Sequence, residues 1–274
     1  LPVTSDRINI YQGNASLKSP AVWTSSIMGW IKFKPRNSYL VPTLTFTNFI
    51  NRIIYTYSYE NGVYTNRPDN IAGTWNLVYS LRGRQSKNKW FFNYKPSVVY
   101  NHMKNFVADG ISGMYKQIKN DELHLSLPCS FGVDITKNGK VSIAVSASAD
   151  WHKPLNGRAE LGYSDTWECR VRPEFYVSLP LNIAFNTECN VVKRTGYSSD
   201  ELNKLTCIWN MNLSMPLIKN KVLLKLKAID ILRQYKSVAY VVNERGICET
   251  RAVTLPSYLL FSVTCKFNKQ PKKK

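Results

Sequence analysis

Apolar and polar positions alternate through residues 255–274, LPSYLLFSVTCKFNKQPKKK. Leu259, Phe261, Val263, Cys265 and Phe267 share one parity, while Tyr258, Ser262, Thr264 and Lys266 share the other, with Leu260 the single apolar intruder. A repeat of two residues predicts a β-strand with two unlike faces. The same rule governs 123–136, where Leu123, Leu125, Leu127, Cys129, Phe131, Val133 and Ile135 oppose His124, Ser126, Pro128, Ser130, Gly132, Asp134 and Thr136. It continues in 141–152, where Val141, Ile143, Val145, Ala147, Ala149 and Trp151 oppose Ser142, Ala144, Ser146, Ser148, Asp150 and His152. Between them TKNG carries Asn138 and Gly139 in the order that a type I′ hairpin turn favours.

Further strands follow. Trp167, Cys169, Val171, Phe175 and Val177 alternate with Glu168, Arg170, Arg172, Glu174 and Tyr176. Leu181 to Val191, Leu205 to Met215, Val222 to Ala228 and Trp75 to Leu81 behave likewise, and weaker patterns run over 22–34, 39–58 and 90–101. The total is about eleven strands of ten or more residues, whereas strands of globular proteins peak near 5–6 and a tilted membrane-crossing strand needs about 9–11.

Two architectures give one apolar and one polar face: a sheet on a soluble core, and a barrel with lipid outside and water inside. The connections separate them. Short ones fall at 35, 82, 136, 180 and 216, and long ones lie between them at 59–70, 102–120, 153–161, 194–200 and 233–256. Short turns at one end and long loops at the other are the layout of an outer-membrane barrel, which a sandwich has no reason to copy. Aromatic residues at predicted strand ends (Trp90, Tyr100, Trp151, Tyr163, Trp167, Tyr258) fit interfacial girdles. The expected fold is therefore an all-β transmembrane antiparallel β-barrel. Residues 1–21 form an incoming extracellular segment, 22–267 the barrel strands and 268–274 a basic periplasmic tail.

The net charge of +19 in 274 residues first suggests nucleic acid. No zinc-finger spacing, aromatic RNA-binding motif or basic amphipathic helix accompanies it, and only Lys272 to Lys274 is a run of like charge, so nucleic acid is not expected as a partner. The basic turn residues, Arg36, Arg82, Arg84 and Lys87 among them, would instead meet acidic headgroups of lipopolysaccharide and phospholipid. The chain starts at Leu1 without a signal sequence, which predicts a mature product or a piece of a longer chain.

Charges within strands take the polar parity. Glu168, Arg170, Arg172, Glu174, Lys225, Lys227, Asp150 and His152 should face a lumen, either as ion pairs holding a plug or as the lining of a path for a polar or anionic solute. Five of the six cysteines take the apolar parity and are expected as small lipid-facing hydrophobes. A sharper alternative is a disulfide: a loop centred near 197–198 would set Cys189 opposite Cys207, and a turn centred near 179 would bring Cys169 near Cys189. No metal spacing, cofactor motif or nucleophile–base constellation is visible in the sequence. The expectation is thus no cofactor and no enzymatic activity.

Three stretches carry a family resemblance: LKLKAIDILRQYKS (224–237) followed by TLPSYLLFSVTCKFNKQ (254–270), INIYQGNASLKS (8–19) and TNRPDNIAGTWN (65–76). They resemble the TonB-dependent receptor-like outer-membrane barrels of Bacteroidota. The second is similar to their Gly-Asn box, with Ala15 after Asn14 and with Ser19 and Pro20 where the family has its final acid. The resemblance implies the C-terminal half of a barrel of about 22 strands. It implies a nutrient receptor whose partners are an N-terminal half with its plug, the TonB complex, the barrel-assembly machinery and a surface lipoprotein. Phe267 would then be the terminal aromatic of the barrel-insertion signal. The alternative from another class is a barrel without transport, acting as surface adhesin or scaffold.

Overall fold

The structure, a computed structural model, describes residues 9–34, 38–60, 62–108, 115–136, 139–155, 165–197, 200–218, 221–235, 237–243, 246–252, 255 and 257–266. Phe267 and the basic tail lie outside the described residues, as do Asn138 and Tyr163. The strands in chain order are β1 (Asn9–Tyr11), β2 (Ala21–Met28), β3 (Ile31–Phe33), β4 (Ser38–Ile50), β5 (Arg52–Glu60), β6 (Val63–Ile71), β7 (Thr74–Lys87), β8 (Trp90–Tyr94), β9 (Ser97–Ala108) and β10 (Tyr115–Ser126). There follow β11 (Cys129–Asp134), β12 (Val141–Leu155), β13 (Thr166–Ser178), β14 (Ala184–Thr195), β15 (Thr206–Leu217), β16 (Val222–Ile229), β17 (Ser237–Asn243), β18 (Gly246–Ala252) and β19 (Tyr258–Cys265). Among the described residues the only helical element is a 3₁₀ turn at Pro180–Asn182, and no helix is long and apolar enough to cross a membrane.

One antiparallel sheet holds 14 strands. Three of its paths are each broken once. β2 and β3 are separated at Gly29-Trp30, β8 and β9 at Lys95-Pro96, and β10 and β11 at Leu127-Pro128. Proline has no N–H to give to a ladder, which accounts for the second and third breaks. The ladder nevertheless continues across them, with Leu81 N–H donating to Pro96 O at 2.9 Å and Lys95 N–H to Pro128 O at 3.0 Å. Fourteen segments less three breaks leave eleven paths, in the order β2/β3, β4, β7, β9/β8, β10/β11, β12, β13, β14, β15, β16, β19. Every path neighbours the next in the chain, so the sheet is one long meander whose edges are β2/β3 and β19.

Meandering sorts the connections. The strand ends that flank 34–37, 88–89, 135–140, 179–183 and 218–221 share one end of the sheet, and those that flank 51–73, 109–114, 156–165, 196–205 and 230–257 share the other. The alternation expected from sequence is present, but three boundaries move. Residues 82–87 belong to β7, with the turn at Asn88 (φ 54°). Most of 102–120 is strand, because β9 and β10 remain paired out to Ala108 and Tyr115. Residues 59–70 lie in the hairpin of β5 and β6, which with β1 makes a separate three-stranded sheet. Ladder bonds are made by the backbone, so pairing can outrun the apolar alternation that advertises a strand.

Register decides which side chains share a face. Trp151 stands opposite Trp167, Val171 opposite Val191, Phe185 opposite Leu213, Leu213 opposite Leu226, and Leu226 opposite Phe261. The apolar parities of these strands therefore join into one surface, and it is uncovered: Phe131, Val171, Leu213 and Leu226 are all exposed. The edge strands are barer still, with Ile27 74% and Leu259 73% exposed. Buried apolar side chains among the described residues are few: Val41, Ile54, Ile71, Val192 and Leu202.

Tight turns require special backbone. Gly196, which ends β14, has φ +85°, and a Cβ there would collide with the carbonyl oxygen of Asp165. Gly196→Ala is expected to cost about 1 kcal/mol or more, because both the conformation and the close approach exclude a side chain. The measurement is the denaturant midpoint for loss of β-sheet circular dichroism, which should fall.

Candidate functional site

The polar parity lines a concave surface. A cavity of about 1130 Å³ is bounded by Tyr39 of β4, Arg82 of β7, Ser148 of β12, Arg170 of β13, Asn190 of β14, Asn210 of β15 and Tyr258 of β19. Residues from opposite ends of the sheet border one space, so the sheet curls around its polar face. Tyr258, expected in an outer girdle, faces this cavity instead, because its strand places even numbers inward.

Ion pairs organise the wall. Glu168 joins Arg170 on its own strand at 2.5 Å to Arg194 on β14 at 2.6 Å, and Arg172 meets Glu174 at 2.8 Å. Lys225 and Lys227 share this face, opposite Ser262 and Leu260, and have no carboxylate partner among the described residues. By register these charged residues share the inward parity of the sheet, and the β13 charges pair with one another and with Arg194 of β14.

A second cluster crosses β10 and β12. The rings of His124 and His152 stack with centroids 3.9 Å apart and planes at 10°. Ser126 Oγ donates to Asp150 Oδ1 at 2.5 Å, His124 Nε2 lies 3.6 Å from the same oxygen, and His152 Nδ1 lies 3.3 Å from Glu122. Asp150 and His152, grouped by sequence, therefore each take a partner from β10. In this cluster Asp150, rather than an imidazole, receives the serine hydroxyl, so the contact between nucleophile and base that acyl transfer needs is not made here. What the cluster does is tie two strands together on the polar face. Its sequence signal is the hairpin centred on 138, whose constant index sum sets 124 opposite 152 and 126 opposite 150. Among the described residues no group of three or more His, Cys, Asp or Glu side chains has metal-holding geometry.

Asp230 carries no signal in the strand pattern. It follows β16 at a positive φ of 49° and is 2% exposed. Its carboxylate accepts the N–H groups of Gln234 at 3.0 Å and Tyr235 at 2.8 Å, while its own N–H donates to Asn210 Oδ1 at 3.0 Å. The segment it anchors runs beside the upper part of β15, where Ile231 N–H donates to Trp209 O and Cys207 N–H to Gln234 Oε1. Tyr235 thereby reaches the cavity wall. The family-like stretches 8–19 and 65–76 also meet: Gln12 N–H donates to Asn66 O, Asn14 Nδ2 to Pro68 O, and Lys18 exchanges two hydrogen bonds with Asn70.

The outer face carries the sulfur pair. β14 and β15 set Cys189 opposite Trp209 and Val191 opposite Cys207, so the cysteines are diagonal neighbours rather than directly opposed. Their Sγ atoms are nonetheless 2.7 Å apart. The alternative of Cys169 with Cys189 is overturned, because Cys169 stands opposite Lys193. Beside them Trp209 Nε1 donates to Thr187 Oγ1 at 2.8 Å, which satisfies a polar group on the apolar face.

Asp230→Ala removes both acceptors for the turn at 230–235. The expected cost is about 1–3 kcal/mol. Limited proteolysis should cut the 230–257 link of the variant before that of the parent, with the rest of the sheet intact. Comparison with protein-family models, with curated proteins and with solved structures returned no match to this chain.

Proposed function

We propose that this chain is part of an outer-membrane β-barrel of the TonB-dependent receptor type, which captures a nutrient at its long loops and admits it through the polar interior. The observation that carries the reading is the inverted polarity of the sheet. Apolar side chains cover the outside and are left bare, while ion pairs and amides surround the cavity. A soluble protein would hide the apolar face. A barrel in lipid would present it.

The dimensions agree. On β13 the outward apolar run from Trp167 to Val177 is about 33 Å long at about 3.3 Å per residue. With a strand tilt of about 40° that run has a height near 25 Å, the thickness of the apolar band of outer-membrane barrels. Outward charges occur at the ends of the run. Lys153 and Lys193 lie toward the long loops, and Lys87 toward the short turns. Aromatic contacts follow the long-loop end: Trp23 with Phe46, Phe46 with Trp75, Trp75 with Tyr100, and Trp151 with Trp167 at 5.5 Å. The Lys153 ammonium lies over the Trp151 ring, 5.6 Å from its centroid, a cation–π contact at that end of the strands.

Strand direction constrains the missing wall. The first and eleventh paths run the same way, so antiparallel closure needs an odd number of further strands. An N-terminal half of about eleven strands meets that condition, and a bare edge in hydrocarbon would leave its N–H and C=O groups unsatisfied. Nutrient import itself rests on the resemblance of 8–19, 65–76 and 224–270 to TonB-dependent receptors. An adhesin or scaffold barrel would keep the wall and lack the energised step. Loss of uptake of one nutrient on deletion of the gene, reproduced by removing TonB, would support the receptor; unchanged uptake across a panel of nutrients would favour the scaffold.

The inverted polarity is tested by paired substitutions. Val171→Arg should cost about 2–4 kcal/mol and remove the protein from the outer-membrane fraction, whereas Ser148→Arg on the inner face should be tolerated. Equal tolerance of both, or recovery of the parent without detergent, would contradict a membrane wall.

A further inference from the structure

We propose that Cys189 and Cys207 are an oxidation site, joined as a disulfide that staples the β14–β15 hairpin. Their Sγ atoms, 2.7 Å apart, are closer than non-bonded sulfurs rest and near the bond length of about 2.05 Å that a disulfide needs. The other cysteines whose surroundings are described stand opposite different residue types: Cys129 opposite Tyr94 and Ala147, Cys169 opposite Ala149 and Lys193, and Cys265 opposite Val222. Among the described residues the sulfur–sulfur contact is made by Cys189 and Cys207, which directs oxidation to that pair.

The step is thiol–disulfide exchange with an oxidised dithiol carrier. One cysteine, as thiolate, attacks a carrier sulfur and forms a mixed disulfide, releasing the first carrier thiolate. The second cysteine then attacks the first cysteine's sulfur, which breaks the mixed disulfide and releases the second carrier thiolate. Two cysteine thiols are oxidised, the carrier disulfide is reduced, and both protons end on the carrier. The timing of the step rests on the membrane reading, in which the pair faces hydrocarbon once the barrel is inserted. The bond must then form earlier, while the chain is in the oxidising periplasm. A staple at this stage would hold the hairpin in register before its neighbours arrive.

The test is alkylation of the full chain recovered from the cell envelope, denatured without reductant, followed by peptide mass analysis. Two of the six cysteines should resist maleimide until reductant is added, and the linked peptides should contain 189 and 207. Cys189→Ser should free Cys207 to react. Full reactivity of all six, or a link between other cysteines, would overturn the proposal. Counting thiols in denatured protein does not depend on where the chain resides, so this result and a failure of the membrane reading are separable.

Discussion

The backbone ladder between neighbouring strands holds one register along each pairing of the large sheet, and the character of both faces depends on it. Side chains alternate with a period of two, so a slip of one residue between β13 and β14 would turn Glu188, Asn190 and Arg194 outward and Cys189 and Val191 inward. Ten such seams join eleven paths, and at each the apolar parity meets the apolar parity. Even the proline breaks preserve the count. β10 and β11 keep the same offset to β12, and β8 and β9 the same offset to β7, on both sides of Pro128 and Pro96. Breaks bend or interrupt a strand here without altering which way it faces.

Register also accounts for the interior chemistry. Glu168, Arg170 and Arg194 meet because β13 and β14 pair Glu168 with Arg194, and the imidazoles stack because β10 and β12 pair His124 with His152. Inside a curled sheet such side chains converge, so paired charge and hydrogen-bonded amides line the space. Outside, Trp209 and Thr187 satisfy one another, as a polar atom on an apolar face must.

Much of this is legible in the residue pattern alone. From 123 to 229 the alternation marks most of the strands and their inward charges, because one parity of those strands is predominantly apolar and the other predominantly polar. Legibility fails where pairing and polarity part company. The far ends of β9 and β10 carry Lys104, Asn105, Lys116 and Asn120 and look like a loop, yet remain a hairpin. Leu260 and Tyr258 confuse the last strand, since a tyrosine at a strand end fits a girdle as well as a lumen. The pattern pairs Cys189 with Cys207 but in the wrong geometry: the centre of the 196–205 loop lies one residue later than expected, which converts a direct pairing into a diagonal one. Asp230 is illegible because its role depends on Asn210 across the sheet and on backbone N–H groups, neither of which leaves a local motif.

The central claim is that the outward parity of the large sheet faces lipid. Spin labels placed one at a time from Arg170 to Tyr176, in a chain with its native cysteines replaced by serine and inserted in bilayers, test it directly. Relaxation by oxygen should peak at 171, 173 and 175, and relaxation by a water-soluble nickel chelate at 170, 172, 174 and 176. A scan without the two-residue period, or an outward parity that neither reagent reaches, would mean that this face is covered by protein and that the sheet is not a membrane wall.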